Sequence, residues 1–357
     1  GTKAMAPPPE KHAGLQDTEL RYRRRYVDLW SNPETMSVFQ ARSRLVSACR
    51  RFMDDDGFVE VETPMLQALA GGAAARPFET HLRALDIPLY LRIAPELYLK
   101  RLLVGGMSRV YELNRNFRNE GVDRSHNPEF TVLEVYEAFG DYTTMLHRTE
   151  ALVRHLAAEV GGGGALPFGE LTIDYASPFR QVTYGALFED ALGYPMTDVA
   201  RARADAKERR LKHEGLADIL VVNELFEAVA EPMIDPERPT FVLDYPAALS
   251  PLTKAKPDDP AIAERWDLFI GGMEIGPAYT ELNDPDVQLE RFQQQLQGLD
   301  DEESTFRTMD MDFIEALKVG MPPAGGLGLG IDRLVMLMSN QRSIRDVLLF
   351  PFMRPLD

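Results

Sequence analysis

Two strand-like runs joined by a short polar loop constrain this chain more than any other feature. RVYELNRNFR (109–118) and EFTVLEVYEAF (129–139) both alternate with period two, and only residues 119–128 separate them. A loop of that length returns the chain antiparallel. FVEVETPML (58–66), which ends its alternation at Pro64, LYLRI (89–93), FVLDYP (241–246) and LFIGGMEIGPAYTEL (268–282) read as further strands. They do not alternate regularly with helices. The expected fold class is therefore α+β, a mostly antiparallel sheet flanked by helices, and not a doubly wound parallel sheet.

The helices have their own signals. Asn32 before Pro33 marks a helix start, and Val38, Ala41, Leu45, Cys49 and Phe52 follow at helical spacing until Gly57 stops the run. PELYLKRLL (95–103) predicts a second helix, and a polar helix is expected near 286–298. The stretch 143–240 reads as a mostly helical insertion, interrupted by Gly161 to Gly164. Residues 1–14, with Pro7, Pro8 and Pro9 in a row, read as a linker, and 15–357 as one domain.

Composition excludes several classes. With 357 residues, 45% hydrophobic and 27% charged, the chain can bury a full core, and it contains neither a membrane-length apolar run nor a signal-peptide pattern. Cys49 is the only cysteine, so an internal disulfide and a cysteine-rich zinc site are both excluded, and the cytoplasm is the natural compartment. Its helical spacing makes Cys49 a core residue. The six histidines show no HExxH spacing. A net charge of −17 argues against broad affinity for nucleic acid, though not against a localised contact. The one dense basic run, Arg21, Arg23, Arg24 and Arg25 with Tyr22 and Tyr26, reads as a solvated helix face.

Three segments could carry chemistry. In the hairpin, Asn114, Asn116 and Arg118 share one face of the first strand, and Phe130, Val132, Glu134 and Tyr136 share one face of the second. The loop adds Glu120, Arg124, His126 and Asn127. A face that polar is costly to bury unless its groups pair with each other or with a ligand. An arginine fork suits phosphate oxygens, and an aromatic ring suits a purine. In GGLGLGIDRLVML (325–337), glycines before a helix permit close backbone approach, with Arg333 in the first turn. In RWDLFIGGMEIGPAYTELND (265–284), Asp267, Glu274 and Glu281 recur every seven residues, which a regular strand would place on alternating faces. A break at Gly276–Pro277 is expected to bring two acids into one cleft, where carboxylates suit Mg²⁺ or an ammonium group.

Together these segments resemble the three signature motifs of class II aminoacyl-tRNA synthetases, in order: GFVEVETPML, then FRNEG…HNPEF, then GLGLGIDR. GGAAARPF (71–78), LRIAPELYLKRLLVGG (91–106), NPEFTVLEVYEAF and AYTELNDP are similar to the lysyl-tRNA synthetase branch, and the likeness runs from about Gly14 to Pro355. The resemblance implies that lysine is activated with ATP and passed to tRNA. Arg118, Glu120, His126, Asn127, Phe130 and Arg333 would bind ATP, with Arg118, Glu274 and Arg333 catalytic. Asp267 and Glu274 would carry Mg²⁺. Glu96 and the Gly72 backbone would take the lysine α-amino group, and Glu281, Tyr136, Glu134 and Tyr279 the ε-ammonium side. The resemblance also implies a homodimer built on the first motif, which the apolar face of residues 38–53 supports.

The chain departs from the family pattern at Pro277, where an asparagine is usual, and at Asp267, where a longer glutamate is usual. The loss of one hydrogen bond to a charged group is worth about 1.5–3 kcal/mol. The family's N-terminal anticodon-binding barrel is absent from this sequence, so weak, anticodon-insensitive charging that engages only the acceptor arm is expected. Two alternatives stand beside this reading. One is a barrel-less paralogue, related to those that lysylate elongation factor P, moving lysine or a related amino acid to a protein or small-molecule acceptor; IEALKVGMP (314–322) is similar to that group. The other is a catalytically inactive binding module.

Overall fold

The chain enters through two short helices, α1 (Thr18–Arg23) and α2 (Arg25–Ser31), before the long α3 (Pro33–Asp55). The computed structural model describes residues 14–69, 71, 75–297 and 309–356, so nearly all of the expected linker lies outside the described residues. Helix α3 begins where Asn32–Pro33 predicts, with the proline at a position whose N–H has no helical partner. It buries Val38, Ala41, Leu45, Cys49 and Met53, and the chain then turns through Gly57 at φ +78°. Burial pushes the Cys49 thiol up to about 12, as befits a core residue.

The basic run is not a solvated face. Arg25 is 1% exposed; it donates to Asp28 at 2.6 Å and to the carbonyls of Arg345, Leu348 and Leu349. Arg21 pairs with the same Asp28 at 2.9 Å. The guanidinium's fixed fork of donors can satisfy several acceptors at once. Arg25 thereby pins the entry helices to the end of the chain.

Along the rest of the chain come β1 (Val59–Glu60), then a small sheet of β2 (Leu66–Gln67), β3 (Glu79–Leu82) and β4 (Ile87–Leu91). Helix α4 (Glu96–Val104) leads into the hairpin β5 (Arg109–Phe117) and β6 (Glu129–Ala138). Next are α5 (Tyr142–Gly161), the ribbon β7 (Ala165–Phe168) and β8 (Leu171–Asp174), then β9 (Arg180–Thr183), α6 (Tyr184–Leu192), α7 (Val199–Glu208) and α8 (Asp218–Leu225). The final part holds β10 (Thr240–Leu243), β11 (Arg265–Ile270), β12 (Met273–Thr280), α9 (Pro285–Gln297), α10 (Met311–Gly320), β13 (Ala324–Gly330), α11 (Ile331–Met338) and α12 (Ile344–Val347).

Eight strands form the main sheet in the order β1-β5-β6-β13-β12-β11-β10-β9. Its middle pairings are antiparallel, and the outermost, β1 with β5 and β9 with β10, are parallel. The expected α+β class and mostly antiparallel sheet are therefore observed. Helices α3, α5 and α11 pack on one face, against Tyr111, Leu133, Trp266 and Leu329. Helices α4 and α10 cover only one end of the other face, against Val110 and Tyr136. That second face carries the site.

Three local expectations need correction. The stretch 143–240 is mostly helical as expected, but β7, β8 and β9 interrupt it and β9 belongs to the main sheet, so it is not wholly an insertion. Of FVEVETPML, only Val59–Glu60 and Leu66, the first residue of β2, are strand, and they lie in different sheets. Between them, Thr63 turns its hydroxyl and N–H to the buried Glu112. Finally, β12 does not break at Gly276–Pro277. Its pairing with β11 shifts between Leu268 and Phe269, opposite Gly276 and Glu274, which leaves Ile275 as one extra residue. The bulge is at Ile275, and Pro277 is back in register, paired with Asp267.

Candidate active site

The bulge decides which side chains meet. In β11, Asp267 pairs with Pro277 and Phe269 with Glu274, so the extra Ile275 returns Glu274 to the face of Asp267, Pro277 and Tyr279. Strand β13 supplies the floor beside them. Its Leu327 and Leu329 enter the core while Gly326, Gly328 and Gly330 alternate on the site face. At Gly326 a Cβ would lie 2.1 Å from Glu281 Oε1 and 2.6 Å from the Tyr136 ring, so only glycine lets those groups close over the strand. At Gly276 a Cβ would lie 1.8 Å from the Gly328 carbonyl oxygen. The result is a cleft of about 840 Å³.

One end of the cleft is cationic. Arg118 follows β5, its guanidinium 5.1 Å from the centre of the Phe130 ring and its Nε buried without a partner. Arg333 sits in the first turn of α11, donating to the Glu274 carbonyl at 2.5 Å and to His126 Nε2 at 3.3 Å. A guanidinium cannot accept, so His126 offers a lone pair there and directs its Nδ1–H at Asp123, 2.9 Å away. Desolvation opposes ionisation of Asp123, but hydrogen bonds from Ser125 and His126 outweigh it and hold its carboxyl well below the usual range. Asn127 donates to the Glu129 carbonyl at 2.6 Å, and its own oxygen is buried without a partner. Glu120 lies exposed at the cleft edge. This end can hold a polyanion, with an aromatic face beside it for a base.

The other end is acidic. Glu96 opens α4, Glu281 follows β12, and Glu134 with Tyr136 projects from β6; all four are buried. The Tyr136 hydroxyl is 3.4 Å from Glu134, and Asn116 reaches the same carboxylate at 3.5 Å. Burial, then the charge of Glu96, pushes Glu134 up to about 8 against the pull of Arg92. Tyr279 lines the cleft nearby. Gly72 lies outside the described residues; its neighbour Gly71 lines the cleft. Such a pocket can bind ammonium groups.

Between the two ends lie Asp267 and Glu274, the pair expected to carry a metal. They share a face, but both Asp267 oxygens are engaged by Arg265, at 2.9 and 2.7 Å. Arg265 itself stacks 4.3 Å from the centre of the Tyr245 ring and 5.6 Å from that of Tyr279. Glu274 stays open to the cleft. Desolvation by the surrounding walls and the charge of Asp267 raise its pKa against Arg333. A cation would relieve that repulsion. Among the described residues no three His, Cys, Asp or Glu side chains form a ready metal centre. The arrangement fits Mg²⁺, which commonly takes one or two carboxylates and completes its shell with water and phosphate.

The described residues singled out as ATP, lysine or metal ligands line one cleft, except Asp267 and Glu281, which lie behind its lining, paired with Arg265 and Lys100. Two functional side chains escaped that reading, Arg265 and Lys100. The Nζ of Lys100 lies 2.7 Å from Glu96 and also pairs with Glu281. The available signal for Lys100 was its place one helical turn after Glu96.

One face of a mostly antiparallel sheet thus joins a cationic end, suited to a polyanion, to an acidic pocket, suited to ammonium groups. The family described as tRNA synthetases class II (D, K and N) matches residues 17–354, and the chain belongs to it. The lysine–tRNA ligases of Pelotomaculum thermopropionicum and Pseudomonas aeruginosa are each 50% identical to it, over 99% of this chain and 71% of theirs. That of Carboxydothermus hydrogenoformans is 51% identical, over 99% of this chain and 73% of its own. Within the class, the chain falls in the lysine–tRNA ligase family.

Proposed function

We propose that this chain joins lysine to ATP, forming lysyl-adenylate and pyrophosphate, and then transfers the lysyl group to tRNA, with residues 15–357 as one catalytic domain. The observation that carries the reading is the joining, in one cleft, of a cation row to a buried pocket of three carboxylates. Lysine enters with its α-amino group at Glu96 and the Gly72 backbone. Its ε-ammonium lies against Glu281, Tyr136 and Glu134, with Tyr279 alongside. Phe130 stacks on the adenine, Glu120 meets its amino group, and Asn127 borders the nucleotide.

The lysine carboxylate attacks the α-phosphorus in line; an O–P bond forms as the bond to the β-phosphate oxygen breaks. Arg118 stabilises the charge that develops, while Arg333, braced by His126, receives the pyrophosphate. A hydroxyl of the tRNA acceptor end then attacks the lysyl carbonyl, and AMP leaves. Glu274, backed by Asp267, would hold Mg²⁺, which supplies charge neutralisation to the phosphates when bound.

The test is amino-acid-dependent exchange of pyrophosphate into ATP across all twenty amino acids. Lysine is expected to be strongest, with no exchange after Mg²⁺ is chelated. Failure of every amino acid removes the enzyme reading. Strong exchange without charging of any tRNA moves the acceptor to a protein or small molecule.

The pH dependence follows from Glu134. In the empty pocket its carboxyl ionises only near about 8, and an ammonium prefers the ionised form. Lysine KM is therefore expected to fall as pH rises from about 6.5 to about 8.5, by roughly tenfold. Glu134→Gln should flatten that dependence, and a wild-type KM that rises with pH counts against it.

The protein acts as a homodimer in the cytoplasm, where ATP and tRNA are found. The apolar face of α3 is not what supports the dimer, because it is buried in this chain's own core. Support comes instead from the first-motif resemblance and from exposed Tyr26, Trp30, Val59 and Leu66. Sedimentation should give twice the 40.2 kDa chain mass at micromolar concentration; a single-chain mass contradicts it. No helix among the described residues is long and apolar enough to cross a membrane.

A further inference from the structure

Lys100 has no exposed surface, yet it lies within the acidic pocket and not in an apolar core. It reaches from α4 to join two carboxylates on different elements. One oxygen of Glu96 lies 2.7 Å away, and Oε2 of Glu281 is also paired. The other Glu281 oxygen, Oε1, is buried without a hydrogen-bond partner and lies over Gly326 beside the Tyr136 ring. A bare carboxylate oxygen in such a place is costly unless a ligand completes it.

We propose that Lys100 is a positioning residue that sets the amino-acid specificity of this pocket. It engages one oxygen of Glu96 and one of Glu281, turning their remaining oxygens toward the substrate. It also fixes the charge that the pocket presents. Once an incoming ammonium has drawn Glu134 into its ionised form, Glu96, Glu134 and Glu281 less one resident ammonium leave two negative charges, the complement of an amino acid with two ammonium groups. Without Lys100, Glu96 and Glu281 repel across a buried gap, and either carboxylate can swing or take up a proton. Recognition then loses both its geometry and its charge match. The inference rests on the lysine-activating reading above.

The test compares wild type, Lys100→Met and Lys100→Gln as full chains, with folding checked by circular dichroism. Lysine and ATP KM come from pyrophosphate exchange, and Ki is measured for norleucine, which matches the lysine chain but lacks its terminal ammonium. For Lys100→Met, lysine KM should rise roughly 10–100-fold, norleucine Ki, which feels only the loosening of Glu96, by a clearly smaller factor, and ATP KM should stay within about threefold. Lys100→Gln, which keeps a donor for one carboxylate, should fall between. A folded variant with lysine KM unchanged overturns the inference, as does an equal rise for lysine and ATP. If neither variant folds, side-chain spectra of ¹⁵N-lysine-labelled wild type decide. The Lys100 ammonium resonance must move on saturation with lysine and not with ATP, and a static resonance overturns the proposal. Wild type that exchanges no amino acid at all refutes the underlying reading instead.

Discussion

Alanine at Arg118 or at Arg333 lowers lysine-dependent pyrophosphate exchange by roughly 10²–10³-fold, the scale seen when one preorganised donor to a developing charge is removed. Both side chains are already held for that task. Arg118 lies over Phe130 with a buried Nε that has no protein partner. Arg333 is braced by the Glu274 carbonyl and by His126, which is oriented in turn by Asp123. Donors fixed before the reaction need no reorganisation during it, so the loss should appear in kcat as well as in ATP KM. Arg124, exposed in the same loop, is the control. Its side chain can contribute only screened surface electrostatics, so Arg124→Ala should stay within about threefold. Equal losses at all three positions would mean that general positive charge, and not placement, supports the reaction.

Glu281→Gln raises lysine KM by about 10²-fold and leaves ATP KM nearly unchanged, since truncating one member of a buried charge pair commonly costs 2 kcal/mol or more. The substitution keeps shape and removes charge. It converts an unpartnered pocket oxygen, Glu281 Oε1, into part of a neutral amide and leaves the Lys100 ammonium with Glu96 alone. A site built around a buried hydrogen-bonding group rejects ligands that leave it unpaired. The same change should therefore narrow the gap between lysine and norleucine. Steady-state exchange at varied lysine and at varied ATP separates the outcomes, and an equal rise in both constants would point to collapse of the cleft.

The hairpin faces were legible because period two is a strong signal: Asn116 pairs with Phe130, Asn114 with Val132, and Glu134 lies farther along that same face. The start of α3 was legible from Asn32–Pro33, and the fate of Cys49 from its spacing. The bulge at Ile275 was not. Seven-residue spacing of Asp267, Glu274 and Glu281 demanded some irregularity, but one inserted residue and a broken strand leave the same trace in a sequence. Arg25, Lys100 and Arg265 were missed for a common reason. Each is a long cation that joins a nearby carboxylate to a distant segment: carbonyls at 345–349 for Arg25, Glu281 for Lys100, and the Tyr245 ring for Arg265. Local pattern reading assigns such residues to solvent by default. The mixed character of 143–240 was hidden because β7, β8 and β9 are only four residues each.

Gly328 and Gly330, which line the cleft, make that part of the floor bare backbone, and a surface without side chains has no rotamers to exchange. It cannot reshape itself around a poorly fitting guest, and it loses no side-chain entropy when a fitting one arrives. For anyone redesigning the enzyme toward bulkier amino acids, this sets a direction. Nothing can be trimmed from Gly328 or Gly330, so room has to come from the walls, at Tyr136 or Tyr279. Any residue larger than glycine on this part of the floor can only shorten the list of acceptable substrates.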